Sequence, residues 1–229
     1  MTRVKRMRRA AALAGSLCAL VALSACSSTQ SDSARLLRSL PGLLLDRDGA
    51  PTPTVGPQQI QQVLVATNEP VMILETESTG ARFMMIGIER NGPYRTFGNA
   101  ARETVTFRDG LVVQTRGLGG DLMSSDETAL LSQLRSRSTG TVPYVMRFLT
   151  PEDVTREIAF TCLVTSEGQQ ASVSMGAYAA SGLVMNADCN TDDLRVSSTF
   201  IVTPDGYIAS ARQWMGETQG MLSSQTLRR

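Results

Sequence analysis

Glu103-Thr104-Val105-Thr106-Phe107-Arg108, then Asp109-Gly110, then Leu111-Val112-Val113-Gln114-Thr115 is the stretch on which the fold turns. Two runs rich in β-branched residues flank an Asp-Gly pair, the pairing that supplies positive φ at both central positions of a type I′ hairpin turn. A second turn reads Thr203-Pro204-Asp205-Gly206, and Asn91-Gly92-Pro93 marks a third. Working outward, Val71 to Thr76, Arg82 to Glu89, Thr141 to Leu149, Thr155 to Thr165, Gln170 to Met175, Arg195 to Thr203 and Ile208 to Met215 are further predicted strands.

One internal helix is predicted between them. Ser124-Ser125-Asp126-Glu127 has the form of a capping box, Ser-x-x-Glu, and Leu130, Leu131 and Leu134 follow as an apolar stripe ending at Arg135 and Arg137. Pro57 stands at the first turn of a second short helix, Gln58 to Ala66. Many sequential strands and few helices predict a mainly β protein: an antiparallel curled sheet, sandwich or partly closed barrel with one or two short helices.

The N-terminus reads as an address. Arg3, Lys5, Arg6, Arg8 and Arg9 precede an apolar run from Ala10 to Ala22, too short for a stable membrane span and suited to a secretory signal. The run ends in Leu23-Ser24-Ala25-Cys26, which resembles the lipobox of bacterial lipoproteins; an ordinary signal with a chance cysteine is the alternative. The domain plan is therefore a signal peptide over 1–25, a lipidated N-terminus and tether over 26–57, and one β domain over 58–229. Within the tether, Leu36, Leu37, Leu40, Leu43 and Leu44 recur at helix-like spacing, interrupted by Pro41-Gly42.

Removing the signal changes the charge. The 22 basic residues less those five leave 17 against 21 acids, a formal charge of −4, which argues against a nucleic-acid partner. The chain contains no histidine, which excludes histidine-based triads and histidine-metal chemistry. Lys5 is its one lysine and leaves with the signal, excluding Schiff-base catalysis in the mature chain. No metal site or cofactor is expected. Of four cysteines, Cys18 departs and Cys26 is the lipidation site, leaving Cys162 and Cys189 to form one disulfide in an oxidising compartment, or to persist as two buried thiols.

Gly110-Leu111-Val112-Val113-Gln114-Thr115-Arg116-Gly117-Leu118-Gly119-Gly120-Asp121-Leu122 resembles the signature of the YjbF/GfcB lipoproteins. The ending Ser198-Thr199-Phe200-Ile201-Val202, Asp205-Gly206, Ser210-Ala211-Arg212-Gln213-Trp214-Met215-Gly216 is similar to that family's C-terminal hairpin. Phe97 and Gly119 depart from its pattern, standing where a tryptophan and a proline are expected. The resemblance implies a mainly antiparallel β fold, no established enzymatic activity, and a lipoprotein of the outer membrane that faces the periplasm among capsule or exopolysaccharide export proteins. Ser27 after Cys26, rather than Asp, agrees with outer-membrane sorting in enterobacteria.

Other residue patterns suggest chemistry of their own. Arg116 to Asp121 could cradle an anion, but it lacks the Lys-Ser/Thr of a phosphate loop, and a tight strand-to-helix connection is the preferred reading. Asp188 to Asp193 opens like a calcium loop, yet Asp193 replaces the turn glycine, so an acidic turn is expected. Glu75 with Glu77, Glu89, Asp121 and Glu217 are the carboxylates from which a glycan hydrolase could be built. Tyr94, Phe97, Tyr144, Tyr178, Tyr207 and Trp214 are the aromatics available to stack on a sugar, and Arg212-Gln213-Trp214 is the predicted surface contact for glycan or partner. The favoured function is a lipid-anchored accessory or scaffold in exopolysaccharide or capsule assembly or export, without enzymatic activity. A polysaccharide-binding module and a carboxylate-based hydrolase are the alternatives.

Overall fold

A computed structural model describes residues 54–150 and 154–229. The predicted lipobox, the predicted tether through residue 53 and the leucine-rich segment 34–45 lie outside the described residues. Helix α1 (Pro57–Ala66) is followed by β1 (Val71–Thr76), β2 (Ala81–Asn91), β3 (Tyr94–Gly98), β4 (Thr104–Arg108), β5 (Leu111–Arg116) and β6 (Leu122–Asp126). Helix α2 (Thr128–Arg135) leads to β7 (Gly140–Leu149), β8 (Thr155–Met175), β9 (Tyr178–Asn190), β10 (Arg195–Val202), β11 (Ile208–Trp214) and β12 (Met221–Arg228).

Every ladder is antiparallel, and in the strand order β5-β4-β3-β2-β1-β12-β11-β10-β9-β8-β7-β6 the strands that come first and last along the chain, β1 and β12, pair with each other, leaving β5 and β6 at the two ends. The sheet therefore curls into a barrel that lacks one ladder, between β5 and β6. Side chains bridge that seam instead. Leu122 N–H donates to Thr115 Oγ1 (2.9 Å), Ser125 Oγ to Val113 O (3.3 Å), and Arg116 to Leu122 O and Met123 O (3.2 and 3.3 Å). Satisfying edge groups in this way leaves little free backbone to recruit another chain's strand.

The apolar pattern of β1 explains the layering. Val71-Met72-Ile73-Leu74 is buried on both faces: Met72 and Leu74 join the barrel interior, while Val71 and Ile73 lie under α1. The interior also holds Met85, Phe97, Phe107, Leu122, Phe160, Met185 and Phe200. On the outside, Ile60, Val63 and Leu64 of α1 join Val55, Met84, Ile86 and Leu227, and burying each such side chain contributes roughly 1.5–3 kcal/mol. Val55, ahead of α1, belongs to this cluster as well. Gln59 Oε1 accepts the Gly56 N–H at the start of α1 (2.7 Å), and Arg228 donates to the carbonyls of Leu64 and Thr67 at its end, meeting groups that a helix leaves unpaired.

Three expectations are corrected. The Ser124 capping box does not form: Ser124 pairs with Arg147 as part of β6, and α2 begins at Thr128, because a neighbouring strand satisfied the backbone that a cap would have served. The glycine-rich stretch joins strand to strand, not strand to helix. Thr155 to Thr165 and Gln170 to Met175 belong to one strand, β8, with an irregularity between Ser166 and Gln170. Beyond it the β8–β9 hairpin reaches α1 and β12: Ala177 N–H donates to Leu227 O (2.9 Å), and Met175 packs with the α1 cluster.

The predicted hairpin turn forms with Asp109 at φ 50° and Gly110 at φ 89°. Gly110 is also required by contact, since a Cβ there would lie 2.0 Å from Ile208 O.

Candidate functional site

The barrel has two unlike ends. At one, the turn of β4–β5 meets β11 and α2: Ile208 N–H donates to Asp109 O (2.9 Å), and Arg135 pairs with Asp109. Leu130, Leu131 and Leu134 of α2 enter the core there. Nearby, Glu127 is buried and accepts from Arg108 Nη1 (2.9 Å), Tyr94 Oη (3.2 Å) and Ser125 Oγ (3.2 Å), so its charge is compensated. The hydroxyl of Thr203 and the Arg229 guanidinium hold the Asp205 carboxyl down at about 2.

At the other end the β5–β6 and β11–β12 connections, with the adjoining ends of β7 and β8, surround a cleft of about 550 Å³. Arg116, Asp121, Phe148, Arg156, Trp214 and Glu217 are among its lining residues. Trp214, the last residue of β11, is half-buried and meets Phe148 and Phe160 edge-on at centroid distances of 5.8 and 5.9 Å. Gly216 (φ 99°) permits this packing, because a Cβ there would lie 2.9 Å from the Phe148 ring.

The glycine-rich loop forms one wall, and its anion-binding potential is already filled from within. Asp121 accepts from Gly117 N–H (2.7 Å), Leu118 N–H (3.1 Å) and Thr115 Oγ1 (3.2 Å), while Gln219 Nε2 donates to Gly119 O (2.7 Å). Gly117, Gly119 and Gly120 all have positive φ, as so tight a loop requires. Arg156 pairs with Glu217 at 3.1 Å. Arg116 lies along the seam, donating to three backbone carbonyls.

The predicted contact triplet is divided by strand alternation. Arg212 is exposed and paired with Glu77, its Nη2 2.6 Å from Glu77 Oε2. Gln213 is 3% exposed and points into the barrel, which corrects its expected place on the surface. Its Oε1 accepts the Val112 N–H (2.9 Å) and its Nε2 donates to Val112 O (3.4 Å). Only Trp214 of the three lines the cleft.

Cys162 and Cys189 face each other across β8 and β9 and are joined by a disulfide within the barrel. Of the five carboxylates considered for hydrolysis, Glu75 pairs with Arg82, Glu77 with Arg212 and Glu217 with Arg156, while Glu89 is exposed. Asp121 and Glu217 do reach one cleft, but the former holds the loop amides and the latter an arginine. Asp188 accepts from Ser197 Oγ (2.7 Å), and Thr191 Oγ1 accepts the Asp193 and Leu194 amides, which makes the predicted acidic turn. Tyr144 is buried with no hydrogen-bond partner for its hydroxyl among the described residues, and burial pushes its ionisation well above the ordinary range. Phe97 packs edge-on to Phe107 in the interior at 5.3 Å.

Sequence reasoning missed Phe148 and Arg156 as cleft residues. They are register partners in β7 and β8, and neither strand run carries a local signal for a site.

In structure, the chain is similar to the hypothetical lipoprotein YmcC from Escherichia coli (K12), with a TM-score of 0.64 at 14% identity, covering 76% of this chain and 89% of that one. No curated protein matches its sequence. Residues 48–227 match the family described as group 4 capsule polysaccharide lipoprotein GfcB, YjbF, and by that match across most of its length the chain belongs to the YjbF family of capsule polysaccharide lipoproteins.

Proposed function

We propose that this protein is a lipid-anchored accessory of capsule or exopolysaccharide assembly or export, held at the outer membrane through Cys26 and facing the periplasm. The observation that carries this reading is the family match over residues 48–227 joined to a lipobox that ends at Cys26. The barrel suits a scaffold: two apolar clusters, a disulfide and a side-chain-bridged seam give a rigid body on which loops can be presented. Its partners are other export proteins and the membrane itself. No catalytic role is assigned, because the candidate carboxylates other than Glu89 are engaged in ion pairs or loop hydrogen bonds. Photo-crosslinkers placed at Thr218, on the loop rim, test the scaffold role: capture of envelope export proteins supports it, and capture of none opposes it.

A second reading, direct polysaccharide contact, is favoured by the position of Trp214 in an open cleft beside the Arg156–Glu217 pair and Asp121. An indole with planar hydrogen-bonding groups around it offers both stacking and polar contact to a sugar ring. Calorimetric titration with the purified surface polysaccharide tests it. Binding that Trp214→Ala abolishes supports glycan contact at this cleft, whereas binding unchanged by that substitution places the contact elsewhere.

A further inference from the structure

A second depression on the same rim has a different character. It holds about 360 Å³ between α1, the β1–β2 turn and the β3–β4 loop, and Val55, Val63, Phe83, Ile86, Ala101 and Leu118 give it an apolar lining. Thr54, the first described residue, also lines it. The chain that carries the leucine-rich segment thus enters the domain at this groove. Nine residue steps separate Leu45 from Thr54, about 30 Å when extended, enough for Leu36, Leu40, Leu43 and Leu44 to return to the groove wall. Glu103 at the groove has no arginine partner among the described residues, and the segment brings Arg38, with Arg35 immediately before it. We infer that the segment 36–44 docks in this groove. A short covalent connection gives it an effective concentration in the millimolar range, which favours it over a free partner of similar affinity.

Docking sets the reach of the anchor. With the segment seated, the 10 residue steps from Cys26 to Leu36 span about 33 Å; released, the 28 steps from Cys26 to Thr54 span about 90 Å. The same tether therefore has a short and a long state.

The test uses residues 26–229 carrying Cys26→Ser, with a single thiol introduced by Leu40→Cys or, as a control, Ser28→Cys. Maleimide labelling of the Leu40→Cys thiol is expected to run about tenfold slower than that of the Ser28→Cys thiol, independent of protein concentration. Adding Ala101→Arg, at an exposed groove residue whose replacement leaves the core untouched, is expected to remove the protection with an unchanged circular dichroism spectrum. Equal labelling at both positions overturns the proposal. So does protection that survives Ala101→Arg, or that grows with protein concentration and so belongs to a second copy.

Discussion

Gln213 of β11 hydrogen-bonds both the N–H and the C=O of Val112 of β5, at 2.9 and 3.4 Å, across the barrel interior. Strand β5 borders the open seam, and its ladder to β4 shifts register beside Val112. A side-chain amide is a neutral group that carries its donor and its acceptor on separate atoms, so it restores what the bulge and the missing ladder remove. Gln213→Leu strands two buried backbone groups and is expected to lower unfolding free energy by about 2–3 kcal/mol in urea titration. A loss under 0.5 kcal/mol contradicts this role.

The Cys162–Cys189 bridge closes a loop of 27 positions. In the chain-entropy account such a loop contributes about 3–4 kcal/mol. The mature chain is expected to show no free thiol at these two positions in its native form, two after reduction in denaturant, and a lower midpoint of thermal unfolding for Cys162→Ala/Cys189→Ala.

The Asp-Gly hairpin was the most legible feature because a type I′ turn is decided by two adjacent residues, and here contact with Ile208 adds to the conformational demand. Strand β12, by contrast, was not anticipated. It turns Ser224 and Thr226 inward, where Thr226 meets the Tyr207 hydroxyl at 2.9 Å, so the alternation that marks a half-buried strand is absent from its sequence. Strand β9 is diluted by Ala179, Ala180 and Gly182, and Gly182 is needed where β9 passes Val202. Strand β6 was masked by Ser124 and Glu127, whose capping-box spacing is coincidental once β7 supplies the partner. At the site, Trp214 was legible as an aromatic near a strand end. That its neighbour Gln213 points inward depends on the register with β10 and β12, which pairing across the sheet decides.

Gly110→Ala places a methyl group against Ile208 O and strains a φ of 89°. A loss of at least about 2 kcal/mol is expected. Gly92→Ala shares a positive φ of 56° but meets nothing within 4 Å, so its loss should stay near 1 kcal/mol. Equal losses in parallel denaturant titrations would remove the steric part of the argument.

Asp205 supplies a pH signature. Its folded carboxyl is held at about 2, below its ordinary value of 3.8, by the Thr203 hydroxyl and Arg229. A lowered carboxyl stabilises the fold above its unfolded value and loses that contribution as pH falls from about 4 towards 2. Because the group is half-exposed, the effect is under about 1 kcal/mol. Asp205→Asn should be less stable than the parent at pH 6, with the gap closing by pH 2 in matched thermal melts.

Anchoring through Cys26 is what places the proposed accessory at its membrane, and complementation of cells that lack it reads both the place and the role. In cells lacking the gene, surface polysaccharide is quantified after expression of the full precursor or its Cys26→Ser variant, with both proteins tracked by membrane fractionation. The precursor is expected to fractionate with the outer membrane and restore polysaccharide, while Cys26→Ser is released from the membrane fraction and fails to restore it. Full restoration by a released Cys26→Ser protein would contradict this expectation.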